Sequence, residues 1–147
     1  MTGPVFVDAN VIVYSRDARD AEKQRRAEAW LRHLWASGDG RLSAQVLHEY
    51  YVTVTRKLRP GMPPADARAD VRALLAWLVS VPEARLLEGA WHEQDRASLS
   101  WWDALLVAAA KAGGCGTLLT EDLPHGQDLS GLQVVNPFRE APPNAPV

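Results

Sequence analysis

Four carboxylates, Asp8, Glu49, Asp103 and Asp122, each stand where an apolar run ends or an apolar helix face begins. An acid beside a core is costly unless something positive neutralises it, and no Lys or Arg falls at a matching spacing to do so. A divalent cation supplies that charge. Mg²⁺ and Mn²⁺ take carboxylate and water oxygens, can hold a phosphate, and lower the pKa of a bound water. Hydrolysis of a phosphodiester is therefore the chemistry to expect, with these four acids as metal-ligating and catalytic residues. Asn10 and Thr120 are neutral oxygen donors beside Asp8 and Asp122, suited to orient a carboxylate or a water.

Taken singly, each residue has an ordinary explanation. Asp8 caps the helix after the first strand, Asp103 sits well at a helix amino end, Glu49 rides on a solvated shoulder, and Asp122 is a turn acid before Pro124. Asn10 and Thr120 serve equally to form a turn and to end a strand. The set says more than its members, because several of them point independently to one edge of a sheet.

The elements that must position them follow from apolar periodicity. Short β-prone runs are expected at 4–7, 41–43, 84–87, 117–120 and 133–135. Helical spacing is expected from about 20 to 35, and again from 44 until Pro60 and Gly61. A further helix should start at Pro63 or Pro64 and stop before Pro82, with a short one in 91–98. The last should be capped by Ser100, carry Asp103, Leu106, Val107 and Ala110 on one face, and end at Gly113 and Gly114. Alternation of this kind argues for an α/β sandwich around a mostly parallel sheet. In such sheets the sites lie beyond the carboxyl ends of the strands, where Asp8 and Asp122 fall.

Length and composition bound the function. A chain of 147 residues is one domain, here taken as 1–140, with a loose Pro-rich tail over 141–147. The single cysteine, Cys115, excludes an internal disulfide and a thiolate zinc cluster and fits a cytoplasmic location. His33, His48 and His92 show no zinc-ligand spacing. No stretch approaches the roughly 20 apolar residues of a membrane span. With a net charge of −2, a nucleic acid must be drawn by a local patch and not by the whole molecule.

Three further residues are candidates for contact with substrate. Arg16 opens the densest basic stretch, with Arg19, Lys23, Arg25 and Arg26, although Asp17, Asp20, Glu22 and Glu28 interleave with it as on a solvated helix. Trp102 could stack on an unpaired base, whereas packing is the stronger expectation for at least one of Trp101 and Trp102. His125 follows the last acid and could meet a phosphate or a leaving group, or be a loop histidine.

Four segments carry a family resemblance: VFVDANVIVY from Val5, SAQVLHEYYVTVTRK from Ser43, WWDALLVAAA from Trp101 and LLTEDLPHGQDLSGLQVVNPF from Leu118. Together they resemble the PIN-domain ribonucleases, in particular the toxin component of VapBC-type toxin–antitoxin pairs. The resemblance implies a three-layer α/β/α fold and a Mg²⁺ or Mn²⁺ site built from Asp8, Glu49, Asp103 and Asp122. It also implies metal-dependent cutting of RNA by an activated water, leaving 5′-phosphate and 3′-hydroxyl ends, a small cognate antitoxin and a homodimer. In this picture Asp8 and Asp103 bind most directly. Of the adjacent acids Glu121 and Asp122, the second is favoured by its position two after Thr120, which leaves Glu121 on the exposed side.

Two rivals stand beside it. A phosphohydrolase or phosphotransfer domain with Asp8 as nucleophile expects a second Asp at position 10 and a Lys at the end of a later strand, where this chain has Asn10 and Thr120. A catalytically silent PIN scaffold does not expect acids at all four positions.

Overall fold

The computed structural model describes residues 3–143. The first strand, β1 (Val5–Val7), is buried at every position, as is β3 (Thr117–Leu119). Strands covered on both faces read as continuous apolar runs, which is why VFV and TLL show no alternation. With β2 (Gly40–Arg41) and β4 (Gln133–Val135) they form one sheet in the order β2-β1-β3-β4. All three pairings are parallel, Val5 lying opposite both Gly40 and Thr117, and Thr117 opposite Gln133.

Six α-helices surround this sheet. They are α1 (Ala9–Tyr14), α2 (Ala21–Ser37), α3 (Ala44–Val52), α4 (Pro64–Leu74), α5 (Glu83–Ala97) and α6 (Trp101–Ala112). Their caps follow from local sequence: Asp20 accepts from Lys23 N at the start of α2, and Ser100 accepts from Asp103 N at the start of α6. Gly38, at φ 75°, closes α2 in the left-handed conformation that a residue without a Cβ adopts freely. Helix α3 widens at its end into a π-helical turn, Thr53–Lys57, and α4 runs on into a 3-10 turn, Leu75–Trp77.

One expected strand is absent. The segment 84–87 is the first turn of α5, which continues unbroken through the residues read as a separate short helix. Leu86, Ala90, Glu93 and Ala97 recur at helical spacing on its inner side, and the segment holds no β-branched residue to favour a strand. Glu93 is buried there, held by Lys111 of α6 at 2.7 Å and by Arg96 at 3.3 Å. Burial pushes its carboxyl up, and the bonds from Lys111 and Arg96 more than reverse this, leaving it below the ordinary value.

The main core gathers Phe6, Val7, Val11, Trp30, Leu34, Leu42, Val46, Tyr50, Leu118 and Leu132. A second small cluster, Ala90, Ala104 and Ala108, joins α5 to α6. Small side chains there let the two helices approach closely. Among the described residues no helix is long and apolar enough to cross a membrane. The expected tail lies mostly outside the described residues; within them, Pro142 is buried.

Candidate active site

The chain leaves β1 for β2 on one side of the sheet and later returns to β3 on the other. The crevice beyond the carboxyl ends of β1 and β3 is thus the switch point of the topology. Asp8 and Thr120 are the residues that follow those two strands. Asp8 N donates to Leu119 O at 3.0 Å, so the two ends are fixed against each other before any side chain contributes.

Asp8 is 94 per cent hidden from solvent, since only 6% of it is exposed, and it caps α1. Its Oδ1 accepts from Ala9 N at 2.7 Å, and its Oδ2 accepts from Thr120 Oγ1 at 2.8 Å and from Asn10 Nδ2 at 3.2 Å. The same Asn10 amide donates to Thr120 Oγ1 at 3.1 Å and to Asp122 Oδ2 at 3.0 Å. Thr120 Oγ1 in turn accepts from Asp122 N at 3.1 Å, which turns that residue back toward Asp8. One amide therefore serves three oxygens. The other end of the Asn10 side chain, Oδ1, is buried without a hydrogen-bond partner.

A cavity of about 530 Å³ opens over this cluster, lined by Asp8, Asn10, Asp17, Glu49, Glu121 and Asp122, with Arg19 and Lys57 as its cations. Two of its five acids are neutralised within the protein. Arg19 grips Asp17 with two bonds, at 3.0 and 3.1 Å, and Lys23 meets Glu121 at 2.8 Å. Asp8, Glu49 and Asp122 have no ion pair among the described residues. Burial drives the Asp8 carboxyl from 3.8 up to about 7; the bonds from Thr120 and Ala9 oppose this, and the charges of Asp122 and Glu49 add to it. All three line the same cavity, so their like charges act on one another.

Asp103 stands further off. It is absent from the cavity lining, although its helix is tied to Glu49: Gln45 Nε2 donates to Glu49 Oε1 at 3.1 Å and to Trp102 O at 3.3 Å. Among the described residues no three acid, histidine or cysteine side chains lie close enough to make a compact metal cluster. The spread suits a cation that keeps part of its water shell, as Mg²⁺ does. A buried carboxylate without a counter-charge, an orphaned amide oxygen and an all-oxygen donor set fit such an ion.

The other expected residues lie elsewhere. Arg16 is turned away from the acids, its Nε and Nη2 bonded to Asp70 at 3.0 and 2.6 Å beside Tyr50, in a separate cavity between α1, α2, α3 and α4. Arg16 is not among the residues that line the acidic cavity. His125 Nδ1 accepts from Asn136 N at 3.0 Å and faces Glu140, not the acids. Trp102 is 64% exposed on α6, while Trp101 packs toward Trp91 with ring centres 6.5 Å apart. Glu121 is half-buried on Lys23, and Asp122 is the exposed one of the two, so the expected exposure of this pair is reversed. Lys57, the last residue of the π turn, also lines the cavity and was not singled out from the sequence.

Residues 5–124 match the PIN domain family, which covers every element that builds the crevice. The chain belongs to the PIN-domain family. Three solved structures similar to this PIN domain show how widely the fold recurs. A toxin–antitoxin complex from Klebsiella pneumoniae aligns with TM-score 0.60 at 17% identity, over 90% of this chain and 97% of that one. VapC20 of Mycobacterium tuberculosis, a sarcin-ricin-loop-cleaving toxin, aligns with TM-score 0.55 at 28% identity, over 78% and 86%. VapBC2 from Rickettsia felis, bound to promoter DNA, aligns with TM-score 0.55 at 16% identity, over 88% and 96%. No curated protein sequence matches the chain.

Proposed function

We propose that this PIN domain is a Mg²⁺- or Mn²⁺-dependent endoribonuclease and the toxin of a toxin–antitoxin pair. The observation that carries the reading is the convergence of Asp8, Glu49 and Asp122 at the switch point of the sheet, with internal cations assigned to the neighbouring acids and none to these. Support for RNA as substrate comes from the loop-cleaving activity named for the M. tuberculosis relative. Support for an antitoxin comes from the complexes that share the fold. A homodimer is part of the same reading.

When bound, the cation offsets charge on the scissile phosphate and makes water a better nucleophile near neutral pH. The chain's own part is to prepare the oxygens. Thr120 and Asn10 fix Asp8 Oδ2, and Ala9 N fixes Oδ1, so the carboxylate is held in one orientation. Asn10 keeps Asp122 in register with Asp8. Burial raises the Asp8 carboxyl to about 7, and a bound cation would favour its ionised form. Asp103, at the amino end of α6, completes the acidic set from the Glu49 side. In-line attack by water on phosphorus then leaves 5′-phosphate and 3′-hydroxyl ends.

The test is incubation of the purified chain with end-labelled RNA and Mn²⁺, with and without chelator. Chelator-sensitive cuts that vanish in Asp8→Asn and Asp122→Asn are expected; cutting that survives chelation removes the metal mechanism. For the toxin role, a short reading frame is expected beside this gene, and its product co-expressed with the chain should yield a silent complex; absence of such a frame counts against the role.

A further inference from the structure

One cation that lines the acidic cavity, Lys57, and two exposed arginines close to it in the chain are used by nothing described so far. Lys57 ends the π turn and lines the cavity, Leu58 is buried beneath it, and Arg56 and Arg59 flank the pair on the surface. Among the described residues none of these three cations is in an ion pair, whereas Arg16, Arg19 and Lys23 all are.

The segment is built, not loose. Leu58 N closes the π turn on Thr53 O at 3.0 Å, and Met62 N returns to Val54 O at 2.8 Å, folding the chain back on itself. A Cβ at Gly61 would lie 2.7 Å from Thr55 O, so the return passes this close only because position 61 has no side chain. Arg59 Nη1 donates to Arg56 O at 3.0 Å, which fixes the two guanidinium-bearing residues beside each other. At a π turn the helix takes an extra residue per turn, and such turns gather at functional sites because they re-aim side chains. Here Lys57, the last residue of the turn, lines the cavity, and Arg56 and Arg59 lie exposed beside it in the chain.

We propose that Arg56, Lys57 and Arg59 form a phosphate-binding rim that receives the backbone of a single-stranded RNA leading out of the acidic cavity. The inference rests on the ribonuclease reading and extends it to where the substrate lies. Unpaired cations next to a crevice rich in acids answer a physical need: a polyanion approaching Asp8, Glu49 and Asp122 is repelled unless cations adjoin them. RNA is favoured over an acidic peptide because Lys57 belongs to the cavity wall itself, so that a chain held there is continuous with a phosphodiester at the acids.

The experiment measures binding apart from cutting. A fluorescein-labelled single-stranded RNA is titrated with the full chain in chelator across a KCl series, and anisotropy gives the affinity and its salt slope. Arg56→Gln/Lys57→Gln/Arg59→Gln should lose affinity by about 10- to 100-fold near 0.1 M salt and flatten the slope by about 2. Arg56→Lys/Arg59→Lys, which keeps the charges, should retain the slope, and this separates phosphate binding from a folding defect. A charge-matched control on other surfaces, Arg25→Gln/Arg85→Gln/Arg139→Gln, should change the slope by less than half as much. Equal loss in the control, an unchanged slope in the rim variant, or no RNA binding by the parent chain overturns the proposal. Loss of an acidic antitoxin segment without loss of RNA also overturns it. Chelator-sensitive cleavage of RNA judges the parent reading separately.

Discussion

Lys23 Nζ lies 2.8 Å from Glu121 Oε2 and over the rings of Tyr14 and Phe138, at 4.5 and 4.9 Å from their centres. The bond to Glu121 raises the Lys23 pKa above its ordinary value. Of two adjacent acids, one is thus spoken for and the other, Asp122, is left to the Asn10 network. Removing the ammonium should cost about 1 kcal/mol, from a partly exposed pair and a cation–π contact. Urea unfolding of Lys23→Met, Glu121→Gln and the double variant should give a coupling of about 0.5 kcal/mol or more; a coupling of zero means the pair positions nothing.

The Asp8 carboxyl gives the metal-free protein an unusual pH profile. Folded, it keeps its proton up to about pH 7, while the unfolded chain releases it near 3.8. Between these values the folded state binds more protons, so stability falls as pH rises from about 4 to 7, by roughly 4 kcal/mol at most. Asp8→Asn should lose most of that decline and be the more stable protein above pH 7. For the same reason Mn²⁺ should raise Tm more at pH 8 than at pH 5. Denaturant melts in chelator check the first claim and thermal melts with Mn²⁺ the second; an Asp8→Asn profile with the same slope as wild type from pH 4 to 7 contradicts the first, and an equal Mn²⁺ shift at pH 5 and pH 8 the second.

Glu93 tests the α5–α6 hairpin. Lys111→Met removes its 2.7 Å partner and leaves the buried carboxylate with Arg96 alone, which should cost about 3 kcal/mol. Glu93→Gln in the same background should recover part of the loss, read by the same unfolding assay. Equal stability of Lys111→Met and wild type would show the pair to be idle.

The strands and the acids at their ends were readable in the sequence for one reason: a parallel strand buried on both faces leaves an unmistakable apolar run, and the polar residue that stops it must sit at the carboxyl edge. Asp8 and Thr120 follow from that alone, and Asn10 and Asp122 stand two residues further along. Residues 84–87 misled because three apolar positions, Ala84, Leu86 and Leu87, fit either period, and only Leu86, Ala90, Glu93 and Ala97 taken together reveal the helix. Arg16 shows a different limit. Its sequence neighbours are acidic, yet its partner Asp70 is 54 residues away, and Lys23 finds Glu121 across 98. No local pattern announces such pairs, so the division of acids into neutralised and free needed three dimensions.

The amide of Asn10 binds the future of this crevice together. A replacement at that position disturbs oxygens belonging to Asp8, Thr120 and Asp122 in a single stroke. Descendants of this chain can therefore alter the centre only by changing several of its members at once.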